Sequence, residues 1–154
     1  MKILFLTLAS LALGNSLLSA QVGETFISPG VRCGYTFGDR GGFTLGVELS
    51  VTRRVGVDTY AGMLVDVYAV GAMKMVHVGA EATYHFVGLS LGPTFAETPE
   101  GTRVGYSLIA YGLFIVMPYY ALSGFPGSFM LDEFGAYLKL PIHMSGPRES
   151  FKFG

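Results

Sequence analysis

Nine ionisable side chains carry most of the chemistry open to this chain: Arg32, Glu48, Asp58, Asp66, His77, Glu81, His85, Glu133 and Lys139. A carboxylate beside an imidazole can orient it as a general base for a hydroxyl, and Asp66, His77 and Ser107 would supply such a relay. The cluster could instead form a gated conductance path or, given its two histidines, a proton-sensitive plug. A third use is structural: charges taken out of water must be matched, and matched pairs hold elements in register. The choice depends on the elements that position these residues.

Those elements are strands. Residues 43–52 read Phe-Thr-Leu-Gly-Val-Glu-Leu-Ser-Val-Thr, apolar at every odd position and Thr, Gly, Glu, Ser and Thr between. That strict period of two makes one face of an extended strand oily and the other polar. The pattern recurs over 25–37, 55–67, 73–86, 87–96, 103–111, 112–122 and 129–141. Arg32 and Gly34 fall on the polar side of the first segment, and Asp58, Tyr60 and Asp66 on that of the third. In the fourth the parity switches, so Val76, Val78, Ala80, Ala82, Tyr84 and Phe86 turn outward while Met75, His77, Glu81 and His85 turn inward. The last segment sets Asp132, Phe134, Ala136, Leu138 and Leu140 against Glu133, Gly135, Tyr137 and Lys139. The seventh is apolar on both faces, and alternation leaves its orientation open.

Hydrophobic residues make up 51% of the chain and charged ones only 14%, against about 25% charged in ordinary soluble domains. No apolar run behind residue 20 reaches the length of a membrane helix. The expected fold is therefore all-β, an eight-stranded antiparallel up-and-down transmembrane β-barrel with hydrocarbon outside and a polar filling inside. Eight strands leave an interior just large enough for side chains. Inward glycines (34, 46, 56, 62, 79, 92, 105 and 135) relieve crowding there. Longer links at 38–42, 68–72, 97–102 and 123–128 alternate with tight joints at 53–54, 86–87 and 111–112. Short periplasmic turns and longer extracellular loops have that arrangement. Tyr35, Phe37, Phe43, Phe95 and Tyr106 then border the longer loops, and Tyr84 and Phe86 the other rim, as two aromatic girdles.

With the first hairpin centred on Arg40, Arg32 lies across from Glu48. With the second centred between Gly71 and Ala72, Asp66 faces His77 and Asp58 faces His85. Arg32 and Lys139, on strands that meet at closure, are placed to share Glu48 and Glu133. A locked polar core is the preferred use of this cluster, since no pore of useful width is expected at eight strands.

The chain opens with Lys2, an apolar run too short to span a bilayer, and small residues at Ser16, Ser19 and Ala20. Residues 1–20 read as a secretory signal peptide, 21–142 as the barrel and 143–154 as a C-terminal tail. With 10 basic and 11 acidic residues in all, the balance gives no hint of nucleic-acid binding. The single Cys33 shares the outward parity of Val31 and Tyr35 and reads as a small hydrophobe. No metal site or cofactor is expected, and a monomer is.

The export signal, eight alternating segments and final strand resemble the small eight-stranded outer-membrane barrels of the OmpA/OmpX type. The most specific piece is residues 133–140, Glu-Phe-Gly-Ala-Tyr-Leu-Lys-Leu. Through Glu133, Gly135, Leu138 and Leu140 it resembles the last-strand signal read by barrel-assembly machinery. The strand that carries such a signal is a free edge until closure. Many relatives of that type end on an aromatic in the last strand, whereas this chain continues beyond Leu140. The resemblance implies a place in the outer membrane of a Gram-negative-type bacterium, contact with outer-membrane lipid, and a structural or membrane-integrity role. Some barrels of this kind modify lipid A, but the His-x-Ser-Asn-type segment of the deacylase members is missing, and no enzyme activity is expected. A soluble lipocalin-like carrier of an apolar ligand is the alternative. It would need a charged coat, and the polar faces here are mainly Gly, Ser and Thr.

Overall fold

A computed structural model describes residues 23–38, 40–112 and 116–144; the expected export signal and residues 145–154 of the expected tail lie outside them. Nine strands form among these residues: β1 (Thr25–Phe37), β2 (Gly42–Arg54), β3 (Thr59–Val70), β4 (Met73–Tyr84), β5 (Val87–Thr98), β6 (Gly101–Gly112), β7 (Val116–Phe125), β8 (Phe129–Lys139) and β9 (Ile142–Met144). From β1 to β8 each strand pairs antiparallel with the next, and β8 returns to β1 to close the cylinder. β9 pairs with Thr25, Phe26 and Ile27 in the register that β8 has set on β1, so it continues β8 past Leu140 and Pro141. The Leu140 N–H donates to the Pro29 carbonyl across this break at 3.0 Å. The result is a closed eight-stranded antiparallel β-barrel whose ladder reaches Met144, beyond the expected boundary at 142.

The period of two becomes a wall with two different surfaces. Val47 is 61% exposed and Leu49 51%, whereas Glu48 between them is 3% exposed. Val31, Tyr35, Leu45, Leu89, Leu91, Tyr106, Leu108, Phe134 and Leu138 join the outward set, and the lone Cys33 lies among them. Val78 has outward parity but is only 7% exposed. It stands opposite Pro93, where the β4–β5 ladder is interrupted because proline has no N–H to donate. There it lines a hollow in the outer wall with Val67, Val76 and Phe95.

The strands run further than their alternation suggests, and this removes the expected difference between the two ends. The links are residues 38–41, 71–72, 99–100 and 126–128 at one end, and 55–58 and 85–86 at the other, which also carries the described termini, the start of β1 and the end of β9. Link length does not distinguish these ends. Tyr68 and Val70, read as loop, are buried on β3. Glycines permit the tightening: Gly38 and Gly71 have φ of 108° and 54°, a region costly for residues with a Cβ. The expected tight joint at 111–112 also moves, since Gly112 ends β6, and residues 113–115 lie outside the described set.

The first hairpin corrects one expected pairing. Arg32 faces Gly46, and Glu48 faces Gly30. The turn closes through the Gly41 N–H on the Gly38 carbonyl at 2.9 Å, one residue ahead of Arg40. Moving a turn's centre by one residue moves its register by two, which preserves the faces. The second hairpin has the expected register, with Asp66 opposite His77.

Asp58 and His85 are not lumen residues, as they were expected to be. β3 starts only at Thr59 and β4 stops at Tyr84. The Arg54 guanidinium donates to the carbonyls of Gly56 and Val57, and the Val55 N–H donates to the Thr59 carbonyl, so residues 55–58 form a turn. Gly56 thereby leaves the inward glycine row as well. Asp58 and His85 pair at 3.3 Å on the rim with side chains 53% and 50% exposed, and the His85 ring stacks on Tyr84.

Candidate functional site in the barrel interior

The interior is filled in three tiers. At the end away from the termini, Tyr68, Val70, Met73, Met75, Ala96, Phe125 and Leu131 form an apolar plug, backed by Phe129. Each has the inward parity of its strand, and their burial closes the bore at that end.

The middle tier is built on Arg32, which is fully buried. β1 delivers it from the wall, β3 brings Asp66 from two strands away, and β8 brings Glu133 from the closing side. The Arg32 guanidinium pairs with Asp66 and donates through Nε to Glu133 at 2.9 Å and to the Tyr119 hydroxyl at 3.1 Å. The Tyr119 hydroxyl in turn donates to Glu133, and the Tyr137 hydroxyl to Asp66 at 3.1 Å. Three rings cage the cation, with its Cζ 4.0, 4.7 and 5.6 Å from the centroids of Tyr68, Tyr119 and Tyr137. A desolvated cation over such faces gains about 2 kcal/mol, which helps to offset the cost of burying it. Room for Tyr119 comes from Gly34 and Gly135, partners across the closing seam, where an added Cβ would collide with its hydroxyl. Thr36 completes the tier, bonded to Thr44 at 2.9 Å and to Glu133 at 3.1 Å.

Nearer the termini, Lys139 pairs with Glu48 and lies 3.9 Å from Glu81. Its ammonium sits over the rings of Tyr111 and Tyr137 at 5.0 and 5.1 Å, and Tyr111 donates to Glu81 at 2.9 Å. Beyond this tier a cavity of about 330 Å³ opens at the end that carries the termini.

Seven of the nine sequence-predicted residues thus share the interior: Arg32, Glu48, Asp66, His77, Glu81, Glu133 and Lys139. The expected sharing across closure is realised as Arg32 with Glu133 and Lys139 with Glu48, while Asp66 takes the place expected of Glu48 beside Arg32. Asp66 and His77 are register partners whose side chains go elsewhere. The His77 ring meets Thr94 at 3.0 Å and Ser90 at 3.3 Å. Ser107 belongs to a hydroxyl chain that runs along the wall from Thr94 through Ser107, at 2.5 Å, to Ser123, at 2.6 Å. The Asp66 carboxylate is taken by Arg32 and Tyr137 while the buried imidazole meets hydroxyls, so the three residues of the relay do not assemble.

The four tyrosines at 68, 111, 119 and 137 complete the interior without standing out in the sequence. Tyr68 falls in an expected link, Tyr111 at an expected strand end and Tyr119 on the segment whose faces alternation leaves open. Their signal was parity: Tyr68 lies two residues from Asp66, and Tyr137 two from Lys139. On β7, Met117, Tyr119, Ala121, Ser123 and Phe125 turn inward, a face set by the pairing with β6 and β8. On the outer rims Tyr35, Phe37, Phe43 and Tyr106 stand exposed at one end and Tyr84 and Phe86 at the other, with Phe95 half-buried.

No protein-family model matches this chain, and no curated protein matches it. Among solved structures it is similar to Neisserial surface protein A, at 13% identity over 75% of this chain and 96% of that one, with a TM-score of 0.51. It is also similar to Ail, the attachment invasion locus protein of Yersinia pestis, at 14% identity over 79% of this chain and all of that one, with a TM-score of 0.52. Both are eight-stranded outer-membrane barrels. At these identities the likeness is one of architecture, and the fold of this chain is that of the small outer-membrane β-barrels.

Proposed function

We propose that this chain is a monomeric outer-membrane barrel of a Gram-negative-type bacterium, exported by residues 1–20, whose role is structural, in membrane integrity. The observation that carries this reading is the inverted polarity of the wall: Val47 and Leu49 outward and exposed, Glu48 and Glu81 inward and buried. A soluble carrier of an apolar ligand needs the opposite arrangement, with a wet outer coat and an oily bore. The filled interior supports a plug in place of a conduit, because the apolar tier closes one end and the Arg32 tier fills the centre. Catalysis is left out of the proposal, since the His77 ring meets the Thr94 and Ser90 hydroxyls and no carboxylate among the described residues. The partners in this reading are outer-membrane lipid and, during insertion, the assembly machinery. Glu133 and Gly135 face in, and Leu138 and Leu140 face out at 51% and 66% exposure, the arrangement such a signal needs.

Cell fractionation tests the placement. Recovery in the outer-membrane fraction, with heat-modifiable migration after detergent extraction, is expected; recovery in the soluble periplasm without detergent would overturn it. Planar-bilayer recording tests the plug. Silence is expected, and steady ion-selective channels that Glu48→Gln abolishes would replace the structural role with conduction.

A further inference from the structure

The interior tier nearest the termini leaves its charges unequal. Two carboxylates, Glu48 and Glu81, face one ammonium, Lys139. Lys139 is committed to Glu48, and its distance to Glu81 is 3.9 Å. Glu81 keeps one oxygen for the Tyr111 hydroxyl, while its Oε1 has no well-formed hydrogen bond although the Ser50 hydroxyl lies nearby. Burying an unmatched carboxylate is costly unless a cation or a proton completes it. Glu81 is 4% exposed, and the surface it lines is the 330 Å³ cavity at the end of the barrel with the termini.

The lining describes the rest of the guest. Phe26, Tyr60 and Met117 supply an apolar wall, with the Ser50 and Thr83 hydroxyls beside Glu81. A concave, mostly apolar space with a few convergent polar groups is the general form of a small-molecule site. Aromatic walls around a negative floor select a positively charged head on an apolar body, since ring faces and carboxylates both attract cations. Lys139 and Tyr111 also line the cavity, with the ammonium over the Tyr111 ring at 5.0 Å, so the site already holds one ammonium of its own.

We propose that this cavity binds a small organic cation, a primary amine on an apolar or aromatic body, whose ammonium pairs with Glu81. An amine there supplies a second positive charge to two carboxylates that otherwise share Lys139, and the Ser50 and Thr83 hydroxyls that line the cavity offer acceptors for its remaining N–H groups. The site is a blind pocket, because the Arg32 tier and the apolar plug lie beyond it. Its existence is independent of whether the barrel has a structural role in the cell.

Phenethylamine, 2-phenylethanol and phenylacetate, titrated into the folded barrel in detergent micelles and followed by calorimetry and by chemical shifts, test the proposal. Saturable binding of the amine is expected, with the alcohol and the acid at least tenfold weaker. Glu81→Gln, checked for folding by heat-modifiability, should weaken the amine at least tenfold. Lys139→Met, which removes the competing internal ammonium, should tighten it. Equal binding of amine and alcohol would reduce the site to an apolar hollow and overturn the proposal. So would an amine affinity unchanged in Glu81→Gln, or no saturable amine binding at all. Should Glu81→Gln fail to fold, the Lys139→Met arm decides, and binding no tighter than in the unaltered chain counts against the site.

Discussion

Arg32 and Asp66 meet as a fully buried ion pair although they lie on β1 and β3, with the whole of β2 between them. Adjacent strands fix their own neighbours through hydrogen bonds, but this pair links two strands that are not paired with each other, through the lumen. It ties the wall to itself across the lumen, and Glu133 and three tyrosine rings close around it.

Removing the guanidinium should therefore hurt more than removing the whole network. Arg32→Met leaves Asp66 and Glu133 buried without their cation, a loss of about 3–5 kcal/mol. The triple variant Arg32→Met, Asp66→Asn, Glu133→Gln should recover most of it. Urea titration of refolding into lipid vesicles measures both. Equal stability of single and triple variants would show that the network carries no coupling.

The seam between β1 and β8 makes a second, steric prediction. A methyl group at Gly135 collides with the Cys33 carbonyl, the Tyr119 hydroxyl and the Gly34 Cα. Gly135→Ala should cost about 1–3 kcal/mol, the usual range for overpacking. Adding Tyr119→Phe relieves one of the three clashes, so the double variant should be less than additive in the same urea titration.

The outer wall predicts a dependence on depth. Val47→Arg places a charge on the outward face of β2 between Leu45 and Leu49, and should cost about 2–4 kcal/mol in a bilayer. Phe43→Arg, at the rim, should cost about 0–1 kcal/mol. Vesicle refolding titrations compare the two. If both cost the same, the exposed apolar band is not the lipid contact.

Cys33 gives a chemical check on the same surface. It lies on the outer wall between Val31 and Tyr35. In vesicles it should resist a membrane-impermeant maleimide, while Ser128→Cys in the link between β7 and β8, on a Cys33→Ser background, should label within minutes. Denaturation in hot detergent should make Cys33 as reactive as the engineered site. Rapid labelling of Cys33 in intact vesicles would place that wall in water.

Much of this architecture was legible in the chain because side-chain parity is a local property of an extended backbone. Seeing Phe43 to Thr52 alternate is enough to know that Glu48 faces away from Val47. The same reasoning placed Arg32, His77, Glu81, Glu133 and Lys139 inside, and Cys33 outside. It failed first where a strand has to stop. Asp58 and His85 keep the right parity but fall in turns, held there by Arg54 and by backbone bonds that alternation does not encode. It was silent on β7, whose two faces are equally apolar until β6 and β8 pair with it.

The sequence by itself thus determined most of the wall: eight crossings, the side each residue takes on every strand but β7, and the register that sets Asp66 opposite His77. Only the closed cylinder decided who meets whom inside it. Contacts across the bore depend on the tilt and stagger accumulated over all the strands, so a turn tightened by one residue at Gly38 slides a whole strand by two positions. That is why Arg32 found Asp66 and three tyrosines, while Glu48 was left to Lys139.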